Sequence, residues 1–205
     1  MTPRFLRLVA TLAIAAFVAS CGNSTPKIAK LDANAAVLAF GDSLTFGYGA
    51  TPAEAYPAVL AGLIGHPVVA SGVPGETSDT GLERLPGELE KSQAKLLILC
   101  HGGNDFLQNR EEASTIANVR AMVKLARDSG VAVVLVSTPK PGLGISVPPF
   151  YAGIAKEFGI PIENDSMKKV LSTGSLKSDL IHPNAKGYAR IAEDIAKLIR
   201  ASGAV

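Results

Sequence analysis

Ser43 stands in the stretch Phe40-Gly41-Asp42-Ser43-Leu44-Thr45-Phe46-Gly47-Tyr48-Gly49, directly after the apolar run Ala36-Val37-Leu38-Ala39-Phe40. That run reads as a buried strand. The serine therefore falls just past the strand's carboxyl end, the edge at which open α/β sheets bind ligands. A serine hydroxyl is a weak nucleophile at neutral pH and needs a base within hydrogen-bond reach. His182 is the candidate base. Asp179, three residues earlier, can reach the other imidazole nitrogen, fix the tautomer and stabilise the imidazolium. Asp-x-x-His is thus a compact base unit, and with Ser43 it could attack an acyl carbon.

Other chemistries find less support. Gly41-Asp42-Ser43-Leu44-Thr45 lacks the second glycine of Gly-x-Ser-x-Gly, so it is not the usual α/β-hydrolase elbow. No Gly-x-x-x-x-Gly-Lys-Ser/Thr follows the first strand, and Gly47-Tyr48-Gly49 is not a dinucleotide fingerprint. The three histidines lie far apart and form no metal-ligand pattern. No metal and no cofactor are expected. Asp42 neighbours Ser43, but adjacent residues after a strand point apart, so a structural role is expected. Asp105 is expected to brace its loop. His66 precedes Pro67 in a turn and receives no role. Cys100 ends the apolar run Leu96-Leu97-Ile98-Leu99 and reads as a small core residue.

These side chains require a framework. Residues 53–65 carry apolar positions at helical spacing, with Pro52 suited to the first turn and Gly65 to the stop. Residues 67–70 read as a second short strand and 71–77 as a loop. Ser78 or Asp79 can cap the next helix, with Leu82, Leu85 and Leu89 on one face. Residues 95–100 form a third strand, 102–109 a loop, 111–128 a long amphipathic helix and 131–136 a fourth strand. A Pro/Gly-rich loop, 138–149, should wall the site. Beyond it come a helix over 150–158, a weak fifth strand over 159–162, a short helix over 167–171 and a loop over 179–184. Asn184 caps a last helix running to Ala201. Continuous apolar strands separated by helices predict a parallel sheet covered on both faces.

Four segments fall in loops that this framework gathers: Gly41-Asp42-Ser43-Leu44, Gly72-Val73-Pro74-Gly75-Glu76-Thr77, Gly102-Gly103-Asn104-Asp105 and Asp179-Leu180-Ile181-His182. Taken together, and with Arg84-Leu85-Pro86 and Ile181-His182-Pro183-Asn184, they resemble the SGNH or GDSL hydrolase family over roughly residues 36 to 200. The likeness is closest to the bacterial group of acyl-thioesterase I, arylesterase and lysophospholipase L1. It implies a flavodoxin-like three-layer α/β/α sandwich with a mostly parallel five-stranded sheet. It also implies hydrolysis of carboxylic esters or thioesters through an acyl-Ser43 intermediate, with Asp179 and His182 completing the catalytic set. The family holds the oxyanion with a serine N–H, a glycine N–H and an Asn amide. These fall on Ser43, a loop glycine and Asn104. Gly75 is chosen over Gly72 because Gly-Glu-Thr-Ser resembles the thioesterase group's Gly-Asp-Thr-Ser. Family members often carry an Asn at the start of this loop, where this chain has Ala70. The position of His101 is not catalytic in the family, so a structural or supporting part is expected. Two further readings stay open: an O-acetylesterase acting on envelope glycans, and a non-catalytic envelope lipoprotein. Leu107, Leu143, Ile145, Val147 and Phe150 near the site favour longer acyl chains over acetate.

The chain is 47% hydrophobic, with a formal net charge of +2 and no block of Lys or Arg. That is ample for one core and gives no nucleic-acid footprint. Residues 1–20 read as a signal peptide: Arg4 and Arg7 form a basic region, and Leu8 to Ala19 an apolar stretch too short to span a membrane. Val18-Ala19-Ser20-Cys21 looks like a bacterial lipobox, with Cys21 the lipidated first residue of the mature protein and residues 21–35 a flexible tether. The expected location is the bacterial envelope on its periplasmic face, anchored by lipid. In a Gram-negative host, Gly22 in place of Asp resembles outer-membrane sorting. The folded domain is expected over 36–205. The expected partners are a small acyl ester or thioester and the membrane, and nothing requires more than a monomer.

Overall fold

The computed structural model describes residues 25–140 and 144–205. The expected signal peptide, Cys21 and Leu143 lie outside the described residues.

Five strands form one sheet: β1 (Val37–Gly41), β2 (Val68–Gly72), β3 (Leu96–Cys100), β4 (Ala132–Val136) and β5 (Ile162–Glu163). Their order is β2-β1-β3-β4-β5, and every neighbouring pair is parallel. This is the flavodoxin-like order, in which the connections reverse direction beside β1 and open a crevice between β1 and β3. Successive side chains of a strand point to opposite faces. Val37 and Ala39, Leu96 and Ile98, and Val134 and Val136 therefore join one core, and Leu38 and Phe40, Leu97 and Leu99, and Val133 and Leu135 join the other.

Helices cover both faces, as the uninterrupted apolar strands require. Over the first core lie α2 (Tyr56–Ile64), α7 (Ser166–Leu171) and α8 (Ala185–Ser202); over the second lie α3 (Ser78–Ser92), α5 (Glu112–Asp128) and α6 (Phe150–Phe158). Leu60 and Ile195 are fully buried on one side, and Val119 and Met122 on the other. At full burial each such side chain is worth about 1.5–3 kcal/mol. Asn184 caps α8 by accepting from the Gly187 N–H at 3.1 Å, and Gly65 ends α2 in the left-handed region.

Three expectations are corrected. The loops expected after β1 and β3 each hold a short helix, α1 (Ser43–Phe46) and α4 (Gly103–Leu107). A single turn has no apolar period to read, and here it is closed by caps: Asp42 Oδ1 accepts from the Leu44 N–H at 2.9 Å. The second strand extends to Gly72, because β1 continues to pair with it through Gly41. Residues 27–31, expected as tether, are docked on the domain. The Ile28 and Leu31 N–H groups donate to the carbonyls of Ser202 and Ala204 at 3.0 and 2.8 Å, and Ile28 and Leu31 pack against the first core.

Candidate active site

Both short helices stand at the carboxyl ends of adjacent strands, β1 and β3, and face the crevice. β1 ends at Gly41 and Asp42 caps α1, which places Ser43 as the first residue of that turn. The loop before α8 brings His182, the candidate base. It is closed on itself: the Ser178 N–H donates to the His182 carbonyl at 3.0 Å, and the Asn184 amide donates to the Ser175 and Lys177 carbonyls at 3.0 and 3.1 Å.

His182 Nε2 lies 3.0 Å from Ser43 Oγ, and His182 Nδ1 lies 2.8 Å from Asp179 Oδ2. A carboxylate only accepts, so Nδ1 carries the proton and the Nε2 lone pair faces the serine hydroxyl. The other Asp179 oxygen accepts the Ile181 and His182 N–H groups, each at 2.8 Å. Partial burial works to raise the Asp179 pKa, but the hydrogen bonds from the His182 ring and these two N–H groups outweigh it and hold the carboxyl below its ordinary value. The Tyr48 ring lies against the His182 ring, with centroids 4.5 Å apart and planes at 40°. The Tyr188 hydroxyl donates to the Tyr48 carbonyl at 2.9 Å and holds that residue in place.

Asn104, in α4, shares the cavity that Ser43 and His182 line. Its amide donates to the Glu76 carbonyl at 2.9 Å and to Asp42 Oδ2 at 3.3 Å. Gly75 is not among the residues lining that cavity. It sits in a turn that the Glu76 N–H closes by donating to the Val73 carbonyl at 3.1 Å. Pro74 followed by Gly75, at φ +80°, is the residue pattern of a type II turn, whose third position needs positive φ. Among the described residues the Gly75 N–H makes no hydrogen bond. Gly72 has a different reason to be glycine: a Cβ there would meet the Phe46 backbone nitrogen, and would lie 2.7 Å from the Asp42 carbonyl oxygen. It makes room for α1.

The remaining polar residues are buried supports. Burial pushes the Asp42 carboxyl above its ordinary value, against the opposing pull of His101 and the Leu44 N–H. Asp105 accepts from Ser78 N and Oγ at 2.9 and 2.5 Å and from the Thr115 hydroxyl at 3.2 Å, tying α4 to α3 and α5. His101 is fully buried. The His66 ring lies 3.2 Å from the Ala35 carbonyl through Nδ1. Cys100 is buried, and burial pushes its thiol up, away from thiolate chemistry. Ala70 lies within β2, opposite Ala39.

The cavity has a volume of about 310 Å³ and an apolar wall built by Leu107, Ile145, Leu171, Leu180 and Ile181. Val147 and Phe150, expected beside it, pack instead on the second core. Leu171, Leu180 and Ile181 escaped the sequence reading, although two of them stand between Asp179 and His182. Among the described residues no group of three or more His, Cys, Asp or Glu side chains could hold a metal ion, and no helix is long and apolar enough to cross a membrane.

Comparison with known proteins points the same way. Residues 39–190 match the model of the GDSL-like lipase/acylhydrolase family. The chain is 29% identical over 172 residues to the thioesterase 1/protease 1/lysophospholipase L1 of Escherichia coli K12, covering 80% of this chain and 83% of that one. It is 27% identical to the esterase TesA of Pseudomonas aeruginosa, with 78% and 85% covered. Among solved structures, the psychrotrophic esterase EstA from a Pseudoalteromonas species superimposes with a TM-score of 0.71 at 23% identity, over 82% of this chain and 97% of that one. That likeness carries the fold, and the match to the family model spans three quarters of the sequence. The chain belongs to the GDSL-like lipase/acylhydrolase family and is an ester-hydrolysing enzyme of the serine-hydrolase kind.

Proposed function

We propose that Ser43 attacks the carbonyl of an acyl ester or thioester and carries the acyl group as an ester intermediate. The observation that carries this reading is the hydrogen-bonded line Ser43–His182–Asp179 at the mouth of an apolar cavity. His182 takes the serine proton as the bond to the carbonyl carbon forms. It returns that proton to the departing alkoxide or thiolate. Water then enters, gives its proton to His182, and releases the acid and the free serine. Asp179 keeps the proton on Nδ1 and balances the imidazolium. The donors for the oxyanion are the Ser43 and Gly75 N–H groups and the Asn104 amide, which gives up its longer bond, 3.3 Å to Asp42 Oδ2, to meet it. One such donor is typically worth about 2.7–4 kcal/mol at the transition state.

The apolar wall favours acyl groups longer than acetyl, which weighs against the O-acetylesterase of envelope glycans. The relatives' names, thioesterase, lysophospholipase and arylesterase, agree with an acyl substrate of this kind. The complete Ser-His-Asp line weighs against a non-catalytic role. We also place the enzyme in the bacterial envelope as a monomer anchored through lipid on Cys21; the apolar stretch and the Cys at its end support this. A Cys21→Ala variant recovered in the soluble fraction, with wild type in the membrane fraction, is the expected result, and equal distribution would overturn the anchor.

The mechanism is tested by hydrolysis of p-nitrophenyl acyl esters of increasing chain length, together with labelling by a fluorophosphonate. Wild type should label and turn over, and Ser43→Ala should do neither. Full activity in Ser43→Ala would sink the mechanism.

A further inference from the structure

Behind the candidate oxyanion donors lies a buried charged cluster that the reaction itself does not use. Arg84 grips the Glu76 carboxylate with two donors, Nε to Oε1 at 2.8 Å and Nη2 to Oε2 at 2.6 Å. The guanidinium also donates to the Ser71 hydroxyl and lies 4.1 Å from the Phe40 ring centroid. Nη2 lies within 3.4 Å of both the Gly41 and Ser71 carbonyls, at the ends of β1 and β2. Glu76 Oε2 further pairs with His101 Nε2 at 3.1 Å. His101 Nδ1 accepts from the Gly102 N–H at 3.0 Å, so the proton of the neutral ring is on Nε2 and is donated to Glu76. The His101 carbonyl accepts from the Tyr151 hydroxyl at 2.8 Å and from Thr138 at 3.2 Å.

Glu76 is therefore joined three ways. Its N–H closes the turn that presents Gly75, its carbonyl accepts from the Asn104 amide, and its carboxylate is bound to Arg84 and His101. Through His101 the same carboxylate reaches the backbone two residues before Asn104. Burying a carboxylate is unfavourable unless charged partners and hydrogen bonds compensate. A loop would not carry one for solubility alone.

We propose that Glu76, with Arg84 and His101, is a positioning residue that sets the Gly75 N–H and the Asn104 amide at one fixed separation. Donors held in place before charge develops need no reorganisation as the oxyanion forms, which is where most of their value lies. A misplacement of about 1 Å can cost on the order of 10²-fold in rate. The proposal rests on the reading of Ser43, Gly75 and Asn104 given above.

The experiment compares wild type, Ser43→Ala, Glu76→Ala and Glu76→Gln on p-nitrophenyl butyrate, with inhibition by a trifluoromethyl ketone. That ketone bears an oxyanion once Ser43 adds to it. Glu76→Ala should lower kcat by about 10- to 100-fold with KM within about twofold of wild type, and weaken the ketone by the same factor as kcat/KM. Glu76→Gln, which keeps an acceptor for His101 but loses the charge held by Arg84, should fall between the two. It decides the question if the Ala variant does not fold. Wild-type kcat in a folded Glu76 variant, or a loss confined to KM, would overturn the positioning role. Turnover that survives in Ser43→Ala would instead overturn the serine mechanism beneath it, so the two failures are separable.

Discussion

The two sides of the cleft are built differently. On the base side the Asp179 side chain is 44% exposed and Leu180 is 84% exposed, and the bonds that close the loop on itself join residues at most nine positions apart. On the donor side His101 is fully buried and the Glu76 side chain is 6% exposed, with bonds reaching across 8, 25, 28 and 50 residues. The difference follows from what each side must do. A base has to exchange its proton with a leaving group and with water, so its short loop faces solvent and needs only a local clamp. Donors for an oxyanion act best when they do not move, and a buried, hydrogen-bonded cluster behind them holds them in place.

The sharpest way to break this comparison is to remove one member from each side. Asp179→Asn leaves the loop's shape and lets His182 adopt the wrong tautomer. Loss of kcat on the order of 10³–10⁴-fold is expected, by analogy with the effect of that change in other serine triads. Because Asp179 is half-exposed and Asn keeps an acceptor for the Ile181 and His182 N–H groups, Tm should shift by no more than a degree or two. Asn104→Ala should lower kcat by about 10²–10³-fold, the usual cost of one oxyanion donor. It should also lower Tm visibly, because Asp42 Oδ2 and the Glu76 carbonyl lose a donor inside the cluster. Activity assays on p-nitrophenyl butyrate, paired with thermal melts, read both. A large Tm loss in Asp179→Asn with none in Asn104→Ala would invert the contrast.

Stability gives two further tests of the donor side. In Gly72→Ala the added Cβ meets the backbone of α1, which cannot swing aside as a flexible side chain could. Destabilisation of about 1–3 kcal/mol is expected from overpacking of this kind, measured by urea unfolding; an unchanged midpoint would show that α1 can yield. The second test is acid. Burial works to raise the Glu76 pKa, but the hydrogen bonds from Arg84 and His101 outweigh it and hold the carboxyl at about 2, against an ordinary 4.5. The unfolded chain then binds the proton more readily than the folded one. The contribution of Glu76 is complete above about pH 4.5 and is lost as pH falls from there towards 2. The Tm of wild type should therefore fall more steeply between pH 5 and pH 2 than that of Glu76→Gln. Parallel slopes would show that the carboxylate is not the titrating group.

The base side was far more legible in the sequence than the donor side, for the same reason that it is simpler. Asp179 and His182 are three residues apart, and a spacing that short constrains geometry by itself. The fold was legible too, since continuous apolar strands between amphipathic helices admit few arrangements. The cluster of Glu76, Arg84 and His101 was not. Its members lie on a loop, a helix and the end of a strand, and share no period. They meet only because β1 stands between β2 and β3. Arg84 entered as part of a resemblance without a role, and His101 with a structural or supporting part but no partners. The turns α1 and α4 were hidden by their length, and Tyr48, inside the very segment that announces Ser43, could be placed against His182 only by folding the chain back upon it.

The smallest effect expected belongs to Leu180. A leucine this exposed contributes almost nothing to folding, so Leu180→Ser should leave stability unchanged within about 0.5 kcal/mol. It nevertheless stands on the apolar wall beside His182. An acyl chain laid along that wall would cover part of it, and burying half of a leucine side chain is worth about 1 kcal/mol. KM for p-nitrophenyl octanoate should then rise about fivefold, with kcat and the constants for p-nitrophenyl acetate nearly unaltered, since the acetyl group ends before it reaches Leu180. A chain-length series in the two proteins measures this. Equal changes for acetate and octanoate would mean that Leu180 acts on the His182 loop itself, and the locally clamped base side would then be less independent of its apolar rim than its hydrogen bonds imply.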